Sequence, residues 1–268
     1  MKCLLINLDR SPARLAHMTD EFSRVGVAFE RVAAVDGLKC PEIAGMSPHL
    51  SLSEIGCFLS HKACWQIIAQ GEDAYGAIFE DDVILTETAG SLLADDGWVP
   101  SDAEIVKVET VFRKAVVAMK QISAGRGYTL HRLHGFHWGS AGYVISKLAA
   151  RDLLEATRNN DIPIDHVIFN QTSATCSSKV IYQLSPALCT QTSYLLEKTA
   201  KFPSEIEQTR HALLQERGLV NRRRQPPMTK FGIEARRIWR QLVDICRLRR
   251  EKTIPFDYRG RRVRRSMV

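Results

Sequence analysis

Apolar residues fill positions 3–6 of the chain, and the polar stretch Asn7-Leu8-Asp9-Arg10 follows at once. Ser11-Pro12 then supplies a helix N-cap and a proline at the first helical position. Leu15, Met18, Phe22 and Val25 recur at helical spacing before Gly26, so a helix is expected between them. Residues 29–35 read as a second strand closing on Asp36-Gly37. Strand, helix and strand in that order predict a βαβ unit. Its ligand-binding loops belong at the carboxyl ends of the strands, where residues 7–10 and 36–37 would meet.

Residues 40–50 read as a loop containing Pro41, Gly45 and Pro48. Ser51 and Glu54 have capping-box spacing, which predicts a helix over residues 52–70. Residues 74–79 form an apolar strand that runs directly into Glu80-Asp81-Asp82. A turn-rich stretch over 87–101 precedes a strand over 104–108. Residues 128–133 and 142–145 are strands separated by Gly135 and Gly139. Ser146 caps a helix over 147–157, and residues 180–184 are a last short strand before Pro186.

Beyond residue 202 the pattern changes. Ser204 and Glu207 form another capping box, for a helix that Gly218 ends, and residues 221–227 have linker composition. Over residues 230–250, Phe231, Ala235, Ile238, Trp239, Leu242, Ile245 and Cys246 recur at helical spacing among six arginines. This predicts a basic amphipathic helix. No internal repeat is found.

Charge sharpens this division. Of the net +7, residues 222–268 hold 16 Lys/Arg against 4 Asp/Glu, a balance of +12, while the remaining 221 residues stand at −5. The seven cysteines include no C-x-x-C pair, which fits reduced, mostly buried thiols in place of a disulfide framework or a zinc site. The apolar run at the N-terminus is too short for a signal peptide, and no stretch approaches the roughly 20 apolar residues that span a bilayer. A cytoplasmic protein is expected.

The acidic triplet carries the most chemistry. Adjacent carboxylates at the end of a buried strand repel one another, and each loses hydration. A hard divalent cation, Mg²⁺ or Mn²⁺, relieves both penalties and can bridge a diphosphate. The bland alternative is a solvated acidic turn. Arg10 and Arg14 stand at the start of the first helix, where anions are favoured; the alternative is a pair of surface arginines. Glycine-rich dinucleotide and phosphate-loop fingerprints are absent, which argues against a dehydrogenase or an ordinary NTPase. His61 shares a helix stripe with Glu54, Phe58, Trp65 and Ile68. It reads either as a site residue or as a satisfied core histidine, and Glu54 reads first as the capping-box partner. His131, His134 and His137 have helical metal spacing but fall on a strand and a glycine turn, so a catalytic metal role is not expected. Asp165, after Pro163, is a candidate general base, with a surface loop acid as the alternative.

Four ordered segments resemble glycosyltransferase family 25, which includes lipopolysaccharide and lipooligosaccharide galactosyl- and glucosyltransferases. The first is Ile6-Asn7-Leu8-Asp9-Arg10-Ser11 with Arg14, followed by Val35-Asp36-Gly37. The second is Glu54-Ile55-Gly56-Cys57-Phe58-Leu59-Ser60-His61 with Trp65, and the third Phe79-Glu80-Asp81-Asp82-Val83. The fourth runs from Gly139 to Ser146, then through Pro163-Ile164-Asp165 to the stretch 186–191. The resemblance spans roughly residues 1–195 and implies a GT-A-type, Rossmann-like α/β catalytic domain (1–202) with a mixed, mostly parallel sheet. A helical, arginine-rich extension (203–268) would follow.

It also implies an inverting hexosyltransferase that uses a UDP-sugar donor and Mn²⁺ or Mg²⁺. Asp81 and Asp82 would hold the metal, with Glu80 adjacent, and Asn7, Asp9, Arg10, Arg14 and Asp36 would line the nucleotide side. Asp165 would act as base, with His61 or Glu54 in reserve. The acceptor would be a lipid-linked or core oligosaccharide. The basic helix would meet an anionic membrane at the cytoplasmic face of the bacterial inner membrane, or else pack on the domain. A nucleotidyltransferase of similar fold and a nucleic-acid-binding protein using the basic tail are the competing readings; no nucleic-acid partner is expected.

Overall fold

The computed structural model describes residues 1–47, 49–158, 162–195, 243–244 and 246–264. The elements in chain order are β1 (Lys2–Asn7), α1 (Pro12–Val25), β2 (Glu30–Ala33), α2 (Leu52–Gln70), β3 (Tyr75–Glu80), β4 (Val83–Leu85) and α3 (Ala89–Leu93). Next come β5 (Ile105–Lys107), β6 (Lys114–Gly125), β7 (Tyr128–His134), β8 (Gly142–Ser146), α4 (Lys147–Ala156), α5 (Ile164–Phe169), β9 (Ile181–Ser185) and β10 (Cys189–Gln191). β11 (Arg249–Thr253), β12 (Phe256–Tyr258) and β13 (Arg261–Val263) close the described chain.

Nine strands make one sheet in the order β11-β6-β7-β9-β5-β8-β3-β1-β2. β2, β1, β3, β5, β9 and β6 run in one direction, and β8, β7 and β11 in the other. The sheet is therefore mixed, with most strands aligned, although adjacent parallel pairs occur only at β2-β1-β3 and β5-β9.

Both faces of this sheet are covered, and the period-2 alternation of each strand divides the core in two. Leu4, Ile6, Ile78, Tyr143 and Ile145 face α2, α4 and α5 together with Trp65, Leu153 and Phe169. Cys3, Leu5, Ala77, Phe79 and Val144 face α1 and α3 with Met18, Phe22 and Leu92. The result is three layers, helices on both sides of a buried sheet.

The helix signals act as their chemistry demands. At the start of α2, Glu54 N donates to Ser51 Oγ at 3.3 Å while Ser51 N donates to Glu54 Oε2 at 2.9 Å. This reciprocal cap is worth about 1 kcal/mol. α1 begins at Pro12 and ends at Gly26, whose φ of 70° lets its N–H reach Phe22 O and Ser23 O. Ser11 occupies the N-cap position without a side-chain cap bond.

Three expectations change. The turn-rich stretch 87–101 contains the short helix α3. Residues 37–39 and 41–46 form 3₁₀ turns within the expected loop. Most significantly, Arg249 and Arg250 do not belong to a helix. They open β11, which pairs antiparallel with β6 at the sheet edge, Arg249 opposite Ala118 and Thr253 opposite Lys114. A strand of sequence RREKT keeps its charges in water at that edge and blunts further pairing. The expected helix after Ser204, the linker 221–227 and residues 230–242 of the amphipathic stretch lie outside the described residues.

Candidate functional site

Parallel register assembles the site. Leu4 to Asn7 pair with Glu30 to Ala33 on one side, and Lys2 to Ile6 with Gly76 to Glu80 on the other. β1, β2 and β3 therefore finish together, and Asn7, Asp36 and the acidic triplet gather at their carboxyl ends. β8 runs the opposite way beside β3, with Gly142 opposite Phe79, so Ser140 arrives next to Glu80. α2 closes the wall by packing against the loop after β2. A Cβ on Gly56 would lie 2.5 Å from Val35 O, and one on Gly37 only 1.9 Å from Leu52 O. Ser60 Oγ fixes that contact by accepting from Val35 N at 2.9 Å.

The cleft so formed has a volume of about 780 Å³ and is lined by Asn7, Arg10, Arg14, Asp36, Glu80, Asp81, Asp82 and Gln191, among others. Asp81 and Asp82 are nearly buried. Arg14 Nη1 donates to Asp81 Oδ1 at 2.7 Å and stands 3.7 Å from Asp82 Oδ2. Asn7 Nδ2 donates to Asp81 Oδ2 at 2.7 Å, and Gln191 Nε2 donates to both oxygens of Asp82 at 3.2 and 3.1 Å. Arg10 Nε donates to Asp36 Oδ2 at 2.7 Å, and this bond holds the Asp36 carboxyl below its ordinary pKa.

Glu80 is the most internally tied member. Ser140 Oγ donates to its Oε1 at 2.9 Å, and His61 Nε2 lies 3.4 Å from the same atom. Behind it, Trp65 Nε1 donates to the Tyr143 hydroxyl at 2.8 Å, which lies 2.9 Å from His61 Nδ1. With Trp65 donating, Tyr143 gives its own proton to Nδ1 and leaves the Nε2 proton for Glu80, an assignment from the network. His61 is thus a fully buried core histidine outside the cleft lining, and it touches the acidic cluster only through Glu80. Burial raises the Glu80 pKa, but the hydrogen bonds from His61 and Ser140 and the charge of Arg14 outweigh it. Asp82 moves the opposite way. Burial and the nearby charges of Glu80 and Asp81 outweigh Arg14 and Gln191 and push it up to about 7.

This arrangement fits a divalent cation. The donors are hard carboxylate oxygens, and a guanidinium already leans on both of them. Burial first, and then the charges of Glu80 and Asp81, raise Asp82, and a cation would relieve both penalties. Cys57, His61 and Glu80 also place ligand atoms within 4.8 Å of one another. Burial and the surrounding carboxylates push the Cys57 thiol well up, however, so it stands as a thiol and the aspartate pair is the better-matched set.

Other expected residues sit elsewhere. Asp9 is not among the cleft-lining residues; its carboxylate is 80 % exposed and pairs with Arg31. Glu54 is buried in its capping box, outside the lining. Asp165 opens α5 instead of a loop, and its Oδ2 accepts from Gly139 N at 3.4 Å, beside the cleft wall but not lining it. His131 Nδ1 lies 3.2 Å from Ala118 O and its Nε2 2.9 Å from Lys252 Nζ, while His137 Nε2 lies 2.8 Å from His134 O. Among the described residues these three histidines form no metal cluster. Burial lowers His134 and His137 to about 4, so both are neutral at pH 7.

Sequence reasoning assigned no role to Gln191, Ser140, Tyr143 or Arg31. Arg31 Nε donates to Asn7 Oδ1 at 3.0 Å and so orients the amide that holds Asp81. An arginine on a short edge strand gives no sequence signal for that job.

Fold and cleft define an α/β protein with a charged cleft at the carboxyl ends of its aligned strands. Residues 1–168 match glycosyltransferase family 25, the lipopolysaccharide biosynthesis proteins. The lacto-N-neotetraose biosynthesis glycosyltransferase LgtB of Neisseria meningitidis serogroup B is 30% identical, with 92% of this chain and 94% of that protein covered. The lipooligosaccharide biosynthesis protein lic2B of Haemophilus influenzae is 31% identical over 78% of this chain and 83% of its own length. The chain belongs to glycosyltransferase family 25 and is a glycosyltransferase. A solved inositol-1-phosphate CTP transferase from T. maritima reaches a TM-score of only 0.42 at 13% identity, over 80% of this chain and 96% of that one.

Proposed function

We propose that the chain transfers a hexose, galactose or glucose, from a UDP-sugar to a lipooligosaccharide or lipopolysaccharide core glycan, with inversion at the anomeric carbon. The observation that carries this reading is the meeting of four carboxylates and two arginines in one cleft at the ends of β1, β2 and β3. On this reading Arg10 and Arg14 face the donor diphosphate, aided by the start of α1. Asp81 and Asp82 would hold Mn²⁺ or Mg²⁺, which supplies charge neutralisation for the departing diphosphate. Asn7 and Gln191 orient the two aspartates, and Glu80, tied to Ser140 and His61, keeps a fixed negative charge at the rim. Asp165 takes the proton of the acceptor hydroxyl as that oxygen attacks the anomeric carbon and UDP leaves from the opposite face.

The relatives named for lipooligosaccharide assembly support the acceptor class. A donor screen with Mn²⁺, read as released UDP with and without acceptor, tests the reading. UDP release from UDP-galactose or UDP-glucose is expected, and no release from either would sink it.

An anionic membrane face at the inner leaflet fits the same task. Among the described residues Arg247, Arg250, Arg259, Arg261 and Arg262 are exposed, as is Leu248. Each such cation contributes about 1 kcal/mol near an anionic surface. No described helix is long and apolar enough to cross a membrane. Flotation with phosphatidylglycerol liposomes is expected for the full chain and should weaken when these arginines are replaced by serine. Equal flotation of the two proteins would contradict the membrane role.

A further inference from the structure

A second cavity, of about 530 Å³, is lined by Lys107, Glu109, Arg113, Phe136 and Trp138, among others, and the 140–141 segment ties it to the cleft. Ser140 of that segment reaches Glu80 in the cleft, while Ala141 N donates to Glu109 Oε2 at 3.2 Å on the cavity side. Glu109 is fully buried and lines the cavity. Its Oε2 also accepts from Lys107 Nζ at 2.8 Å, whereas its Oε1 has no hydrogen-bond partner among the described residues. Lys107 pairs with this carboxylate through Oε2, so what Oε1 lacks is a hydrogen-bond donor.

Trp138 lines this cavity and is 40% exposed. The guanidinium of Arg113 lies 5.0 Å from its ring centre, and Phe136 meets it edge-on at 4.7 Å. Arg113 over the ring and Phe136 at its edge hold the indole in place, while 40% of the residue stays exposed. Asp165, the proposed base, neighbours His166, whose ring is 5.9 Å from Trp138. An exposed, fixed aromatic face beside a buried acceptor that lacks a donor suits a ring with one apolar face and several hydroxyls.

We infer that this cavity is a subsite for a neutral sugar ring of the acceptor glycan, with Trp138 as its stacking platform and Glu109 Oε1 as the acceptor for one of its hydroxyls. The inference rests on the glycosyl-transfer reading, and it names where the second substrate sits.

Two measurements test it. Saturation-transfer NMR with the β-methyl glycosides of glucose, galactose and N-acetylglucosamine, in the presence of UDP and diamagnetic Mg²⁺, reads binding without turnover. Steady-state kinetics with the same glycosides reads KM against kcat. Ring-proton signals are expected for the native chain and for Trp138→Phe, and their loss for Trp138→Ala. The acceptor KM should rise about tenfold in Trp138→Ala with the donor KM within about twofold. Arg113→Ala, which frees the indole without removing it, should shift the acceptor KM in the same direction by less.

Absent signals for every glycoside on the native chain, or an acceptor KM unmoved by Trp138→Ala, would overturn the subsite while leaving UDP-sugar transfer standing. Glycoside signals that depend on Trp138 in a protein that releases no UDP from any UDP-sugar would leave the subsite standing and overturn the donor reading.

Discussion

The two cavities are tied together through residues 140 and 141, which bond to Glu80 of one and Glu109 of the other, but their linings differ in kind. The cleft at the ends of β1, β2 and β3 gathers four carboxylates against two arginines, and burial together with the charges of Glu80 and Asp81 raises Asp82 to about 7. The cavity beyond Gly139 buries one carboxylate with one ammonium and surrounds them with aromatic rings. A site with excess carboxylate draws a cation and its bound phosphates, whereas an aromatic-lined one whose buried carboxylate is paired with Lys107 selects by shape and hydrogen bonding. Donor and acceptor chemistries would thus be separated by a single strand entry, with Ser140 and Ala141 facing opposite ways.

That contrast can be broken from the cleft side first. Asp82→Ala should lower kcat roughly 10²-fold or more, because the charge that develops on the leaving diphosphate loses its counter-ion. Retained turnover would place the metal elsewhere. A smaller effect concerns pH. Asp82 is raised to about 7, so protons compete with Mn²⁺ below that value. Apparent Mn²⁺ affinity should fall about tenfold between pH 8 and pH 6. The sign is opposite for the metal-free protein. A carboxyl raised in the folded state stabilises the fold at low pH, and that contribution is lost as pH rises through 7. The melting-temperature gain on adding Mn²⁺ should therefore be larger at pH 8 than at pH 6. A gain that is flat with pH would contradict the assignment. Glu80, shifted downward, stays ionised throughout this window.

Behind the cleft, Tyr143→Phe removes the hydroxyl that Trp65 and His61 share. Two buried ring nitrogens lose a partner, and urea denaturation should show a loss of about 1–3 kcal/mol. Activity should fall as well, since His61 would no longer be held towards Glu80. The smallest effect is expected far from either cavity. Ser51→Ala breaks the α2 capping box and should cost about 1 kcal/mol of stability, with kcat unchanged.

The half of the sheet that builds the cleft was legible in the sequence, because its elements carry local signals. Ser51 and Glu54 cap each other within one turn, Gly26 ends α1 through its own left-handed φ, and the apolar run before Glu80 is uninterrupted. In the other half β5, β7, β8 and β9 were legible as short apolar runs, but β6 and β11 were not. β6 hides its alternation because its register against β7 shifts between Val117 and Gln121 and again between Ser123 and Gly125, and each irregularity breaks the period-2 reading. β11 is a charged edge strand that gains its structure from β6 and not from its own residues. In the site, the carboxylates and arginines were visible as residue types. Gln191, Ser140 and Arg31 act through contacts from distant chain positions, which spacing does not encode. Asp9 shares a turn with the cleft residues, yet finds Arg31 instead.

The central claim is that Asp81 and Asp82 hold a metal that joins the protein to a nucleoside diphosphate. Calorimetric titration of UDP into the native chain and into Asp82→Ala, each with and without Mn²⁺, tests it most directly. The account predicts UDP binding that strengthens at least about tenfold with Mn²⁺ in the native chain and loses that dependence in Asp82→Ala. Equal UDP affinity in all four titrations would contradict it.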